Sequence, residues 1–191
     1  MMNENEIFLR RHLEAVTPFS DAEFDFVLPH FTLAAYKKKE FVFRENDAVP
    51  YNYFIVSGLT KLYVIDADAN EHIVSFAMED WWETDALAFF TQSHASASMQ
   101  CLENTTAFCL SFDNFQKLCR EMPKMEHFFH RKAIASHIAG QKRMLALTTL
   151  TAKQRYEQLL SSRPVLFQRL PKTLLASYLG VSRETLSRMI G

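Results

Sequence analysis

The sequence predicts an α+β chain in which helices flank an antiparallel β sandwich or barrel and a small all-α segment follows. Three observations carry this. From Leu33 onward, short segments rich in β-branched and aromatic residues recur between polar turns, without intervening helical stretches. From about Pro123 the apolar spacing changes to intervals of three and four. The charge also changes sign: residues 1–150 hold 14 Lys and Arg against 20 Asp and Glu, whereas 151–191 hold 7 against 2.

At 191 residues, 48% apolar and with 17 Phe, the chain is long enough to bury a thick core, which excludes a disordered class. No run approaches the roughly 18 apolar residues of a membrane span, and MMNENEIFLRRHLE lacks a signal peptide's basic start and apolar centre, so a cytoplasmic protein without membrane partners is expected. Cys101, Cys109 and Cys119 fit neither a disulfide framework nor metal knuckles and read as buried free thiols. His127, His130 and His137 share one helix but form no established ligand motif, so no metal is expected.

Taken in order, the stretch to about Phe31 reads as helical, with Ile7, Leu9, Leu13, Phe24, Val27 and Leu28 available to pack and a capping start at Ser20-Asp21-Ala22-Glu23. FTLAAY, EFVFREN, YNYFIVSG, LTKLYVIDA, EHIVSFAM and TTAFCLSF read as strands. Within the long helix from Pro123 to Leu150, Ile134, Ile138, Gln141, Leu145 and Thr148 form one stripe suited to pairing with a second copy or to lying on its own domain. A further helix, AKQRYEQLLSS, ends at Arg163-Pro164. In PKTLLASYLGVSRETLSRMI, Gly180 permits a turn between two short helices, Pro171 suits a first helical turn and Ser182 an N-cap.

That helix pair suggests a nucleic-acid reader. A helix fits the major groove of DNA, where long donors near its start, Arg above all, reach base edges. Arg183 and Arg188 lie on broadly overlapping faces, and Ser182 and Thr185 can offer hydroxyl and backbone donors to phosphates.

The order of elements, with "LASYLGVSRETLSRMI" and "FRENDAVPYNYFIVSGLTKLYVIDADANEHIVSFAMEDWW", resembles the Crp/Fnr family of bacterial transcription regulators over nearly the whole chain. The resemblance implies an antiparallel β-roll of the double-stranded β-helix or jelly-roll type over 1–122, a dimerisation helix over 123–150 and a helix-turn-helix DNA-binding domain over 151–191. It places Arg183, Glu184 and Arg188 as base readers and Ser182 at a phosphate contact, with Thr185 and Ser187 beside them. Many relatives continue into a wing, a strand pair after the recognition helix; no wing is expected in these residues, either as in some short members of the family or because the sequence is clipped.

The departures bear on mechanism. Where cyclic-AMP-binding members carry a Gly-Glu pair for the ribose and an Arg-Ser pair for the phosphate, this chain has Thr84 and Asp85, then Ala95 and Ser96. Loss of a buried cationic partner costs roughly 3–5 kcal/mol, and Asp85 is expected to add repulsion. Ala139 and Gly140 stand where the family's cyclic-AMP sensor offers hydroxyls to adenine, so no tight cyclic-nucleotide binding is expected. Three Cys, none before residue 101, exclude the family's four-thiolate iron–sulfur site. Nothing marks His72 or a helix histidine for haem, and no cofactor is expected. Trp81 and Trp82, with Phe89 and Phe90, either line an effector pocket with Thr84, Asp85, Ala95 and Ser96 or simply fill the roll.

The expected protein is a non-enzymatic, homodimeric regulator that binds double-stranded DNA and pairs through Ile134, Ile138, Gln141 and Leu145. An unidentified small-molecule effector or RNA polymerase are its further candidate partners. The alternative is a ligand-binding or protein-interaction module that no longer binds DNA. A cupin-like enzyme would need clustered His and carboxylate ligands, and the strand region has only His72 and His94.

Overall fold

The structure is a computed structural model describing residues 2–190. Its helical start comprises α1 (Glu4–Glu14), α2 (Asp21–Val27) and a single 3-10 turn. Ser20 caps α2 as expected: its hydroxyl accepts from Glu23 N–H at 3.3 Å while the Glu23 carboxylate accepts from Ser20 N–H at 2.7 Å.

Eight strands follow: β1 (Phe31–Tyr36), β2 (Phe41–Phe43), β3 (Tyr51–Ser57), β4 (Leu59–Ile65), β5 (Glu71–Met78), β6 (Trp82–Glu83), β7 (Ser98–Cys101) and β8 (Thr105–Ser111). They form two four-stranded sheets, ordered β1-β8-β3-β6 and β2-β7-β4-β5. The expected strand segments all appear. Strands β6 and β7 are additions that two-residue and four-residue stretches were too short to announce.

Alternation along β3 explains why YNYFIVSG reads as a nearly continuous apolar run. Tyr53 and Ile55 face one buried cluster with Phe43, Leu62, Phe89 and Met99. Phe54 faces the other, formed with Leu9 and Leu13 of α1, Phe24 of α2, Phe108 and Phe128. The strand is buried on both faces. Gly58, at φ +101°, makes the β3–β4 turn; a Cβ there would stand 2.5 Å from Asn104 O, so no other residue fits. Cys101 and Cys109 are buried free thiols, whose pKa values burial pushes up to about 11.

Three helices differ from expectation. α3 (Ala86–Thr91) interrupts the strand region, started by the Asp85 side chain accepting from Ala88 N–H at 3.1 Å. The aromatic ALAFFT has strand-like composition, and a tertiary hydrogen-bond pattern overrides it. α4 (Phe112–Glu121) begins eleven residues before Pro123, capped by Ser111. Then come α5 (Pro123–Thr149), α6 (Ala152–Ser162), α7 (Pro164–Arg169), α8 (Lys172–Leu179) and α9 (Arg183–Ile190). Among them α7 is a further helix, because Pro164 both ends α6 and starts a new turn.

Clustering of the chain gives two compact units. One holds residues up to Val64 with Ser75–Ala133; the other holds Ile65–Val74 with the chain from Ile134 onward. In the first, α5 buries Met125, Phe128 and Phe129. In the second, Leu159, Leu166, Leu170, Leu175, Leu179 and Leu186 form the buried interior of α6 to α9. Among the described residues no helix is long and apolar enough to cross a membrane.

Candidate functional site

In the second unit, Gly180 ends α8 in the left-handed conformation at φ +67°. The chain then turns back through bonds from Gly180 N–H to Ser177 O at 3.0 Å and Val181 N–H to Ala176 O at 3.0 Å. Ser182 starts α9, its hydroxyl accepting from Thr185 N–H at 3.1 Å. Leu186 is fully buried on the inner face of α9, while Ser182, Arg183, Glu184, Ser187 and Arg188 are exposed and Thr185 is half-buried. The Glu184 carboxyl is held below its usual range, first by its own backbone N–H and then by Ser182. Arg188 reaches back to the Thr185 hydroxyl at 3.4 Å. The sequence-derived DNA-facing residues thus lie on one short helix around a single buried anchor.

Other cations of this unit serve the fold. Arg155 donates to Leu150 O at 2.7 Å and Leu179 O at 2.9 Å, tying α6 to the end of α8. Arg143 donates to Ile73 O at 3.0 Å and Tyr178 O at 3.2 Å and lies 3.7 Å from the Tyr178 ring centroid. The Ser177 hydroxyl donates to Glu71 O at 2.6 Å and accepts from Ile73 N–H at 3.3 Å. Of the seven Lys and Arg in residues 151–191, Arg155 is thus engaged in holding the fold. His72 pairs with Asp66 at 2.6 Å within the same turn.

Along α5 beyond Ala133, Ile134, Ile138 and Leu145 are 44%, 45% and 52% exposed, and Gln141 between them is exposed too. A groove of about 550 Å³ beside this face is lined by Ile138, Lys142, Leu147, Arg155, Leu159 and Tyr178, among others.

In the first unit the residues assigned to an effector pocket divide: Asp85 and Ser96 meet, while the others have separate partners. The Trp82 ring packs on His12, Phe31, Phe54, Phe128 and Phe129, away from the cluster that holds Phe89. Trp81 packs against the Phe89 cluster instead. Phe89 is fully buried against Phe112 and Phe115, while Phe90 is 49% exposed. The Thr84 hydroxyl donates to Tyr51 O at 3.0 Å, and Ala95 is buried, its N–H donating to Asp47 O at 2.8 Å.

Asp85 is surrounded by donors. Its Oδ2 accepts from Ser96 N–H at 2.7 Å, Ser96 Oγ–H at 2.8 Å and Ala97 N–H at 3.2 Å, while Oδ1 accepts from Ala88 N–H. Burial pushes its carboxyl up, but these bonds outweigh burial and leave it below the ordinary aspartate value.

Two titratable groups escaped sequence reasoning. His12 sits inside the first core cluster, 4% exposed, and Glu83 has its carboxyl enclosed beside Ser75 Oγ at 2.5 Å. Burial raises Glu83 to about 7 against the hydrogen bonds from Ser75 and Thr84. Neither residue belongs to a spaced motif, so only the packing reveals them.

Residues 33–122 match the cyclic nucleotide-binding domain family. The chain is similar to the transcriptional activator protein Anr of Pseudomonas protegens, 27% identical over 165 residues, covering 80% of this chain and 66% of that protein. It is similar to the anaerobic regulatory protein of Haemophilus influenzae, 27% identical over 167 residues, covering 81% of this chain and 64% of that one. Among solved structures, FixK2 from Bradyrhizobium japonicum superposes with a TM-score of 0.71 at 18% identity, covering 84% of this chain and 82% of that chain. The chain thus carries a cyclic nucleotide-binding domain and is similar over most of its length to regulators of transcription. It spans about two thirds of the length of the curated Crp/Fnr-type relatives it matches. The matched residues span both sheets, and α8 and α9 are joined by the tight turn at Gly180.

Proposed function

We propose that this chain is a sequence-specific DNA-binding regulator of transcription of the Crp/Fnr type, homodimeric through α5 and insensitive to cyclic AMP. The observation that carries the reading is α9: Arg183, Glu184 and Arg188 are exposed on a capped helix whose opposite face buries Leu186. In this reading Arg183 and Arg188 donate to base edges, Glu184 accepts from a base amine, and Ser182, Thr185 and Ser187 face phosphates. The names of the Anr and anaerobic regulatory relatives support regulation of transcription.

The exposed stripe of Ile134, Ile138 and Leu145 supports pairing with a second copy, which would set two recognition helices at half-sites about 34 Å apart. Ala95 at the place of the phosphate-clamping Arg supports insensitivity to cyclic AMP, and so does Asp85 on the Ser96 donors.

Selection of duplexes from a random pool, followed by anisotropy titrations across a salt series, tests the reading. Enrichment of a two-fold symmetric site is expected, with Arg183→Ala losing about 1–3 kcal/mol of discrimination at one base position. Equally negligible binding of random and selected duplexes at low salt would replace it with a ligand-binding or protein-interaction role.

A further inference from the structure

Four donors converge on one buried carboxylate in the segment between β6 and β7. Three of them, Ser96 N–H, Ser96 Oγ–H and Ala97 N–H, lie eleven and twelve residues beyond Asp85 and outside α3. The fourth is Ala88 N–H inside α3. Asp85 is only 4% exposed, so without its carboxylate these donors would face one another across a small closed space with no acceptor. A set of N–H and O–H groups converging on one point is an anion site, and here the chain supplies the anion.

We propose that Asp85 is a resident anion: its carboxylate fills a four-donor site made by Ala88, Ser96 and Ala97, closes residues 85–97 without a ligand, and keeps small carboxylates out. The physical reason is effective concentration. A carboxylate tethered within the same loop reaches its donors at the equivalent of millimolar concentration or more, so a dissolved anion offering the same bonds competes poorly. Truncating the tether removes that advantage and leaves the donors in place. Ala95 N–H and Asn46 N–H, bonded at 2.8 Å to Asp47 O and Ala95 O, hold the far side of the loop independently of Asp85. The inference concerns residues 85–97 alone and stands whether or not α9 reads DNA.

The experiment is chemical rescue in the full chain. Wild type and Asp85→Ala are melted in sodium formate and in sodium chloride at matched ionic strength and constant pH, where formate matches the missing carboxylate. Asp85→Ala is expected to melt lower than wild type in chloride and to regain a few degrees, roughly 3–6 °C, saturably with formate, while wild type responds equally to both salts. A formate response in both proteins, or in neither, overturns the proposal. Should Asp85→Ala fail to fold, the isosteric Asp85→Asn decides the matter by amide NMR. The amide protons of Ala88, Ser96 and Ala97 should move upfield together when the charged acceptor is lost; if they stay in place, Asp85 is not their ligand.

Discussion

The indole N–H of Trp82 donates to Nε2 of His12 at 2.9 Å, which settles the histidine's tautomer because the indole can only donate. Nδ1 therefore carries the proton and donates to Asp80 at 2.6 Å. A second proton would go to Nε2 and face the indole N–H inside a cluster of rings, with the Phe54 centroid 4.3 Å away. Burial first, then Lys132, hold the His12 pKa below its ordinary value despite Asp80.

The unfolded chain thus takes up the His12 proton at higher pH than the folded chain. Its contribution to stability is complete above about pH 6.5 and declines as pH falls below that value. Thermal melts of wild type and His12→Gln from pH 7.5 to 5.0 should show the variant less stable at pH 7.5, with the gap narrowing as pH falls. A pH profile unchanged by the substitution would mean that the buried tautomer does not govern acid stability.

Glu83 acts in the opposite direction. Its carboxyl keeps a proton to about pH 7 when folded, whereas the unfolded chain releases it near 4.5, so folding weakens as pH rises through that window. Glu83→Gln should be more stable than wild type at pH 8 by about 2–3 kcal/mol and equal to it near pH 4. Because His12 and Glu83 oppose each other across the same pH range, wild type alone will look flatter than either variant. Denaturant melts of the two single variants separate the contributions.

Leu186 and Arg183 are three residues apart on α9 and should fail in different ways. Leu186→Ala empties a fully buried site and should cost about 2–5 kcal/mol, melting the helices around it and abolishing DNA binding by loss of structure. Arg183→Ala should leave the circular dichroism spectrum and melting temperature unchanged while losing base discrimination. Arg155→Ala should behave like Leu186→Ala, more mildly, because its bonds go to Leu150 and Leu179 carbonyls; its salt dependence of DNA binding should match wild type.

Pairing through α5 predicts that Ile138→Glu, or Leu145→Glu, sediments as a monomer with an unchanged β-sheet spectrum, since both side chains are about half exposed in the single chain. Each would set two like charges in an apolar seam. A sedimentation coefficient equal to wild type would place the interface elsewhere.

Much of the architecture was legible in the sequence because it rests on local rules. Short segments rich in β-branched and aromatic residues between polar turns marked β1 to β5 and β8; Ser20 with Glu23 and Gly180 with Ser182 marked helix boundaries by capping chemistry that needs no distant partner. The exposure of Arg183, Glu184 and Arg188 follows from the same local rules, through the turn that Gly180 makes and the anchor that Leu186 provides.

What only the tertiary structure decided depends on residues far apart in the chain. α3 exists because Asp85 caps it, and Asp85 is held by Ser96 and Ala97 eleven and twelve residues away, so strand-like ALAFFT gave no warning. Trp81 and Trp82 are adjacent in sequence, yet Trp82 went to the ring cluster and Trp81 to the cluster that holds Phe89. His12 and Glu83 carry no sequence signature, because burial and the identity of a hydrogen-bond partner 70 residues away are properties of the packed chain. Local spacing determined the elements and the exposed face of α9; long-range packing decided which polar groups are enclosed, and hence which protonation states they hold.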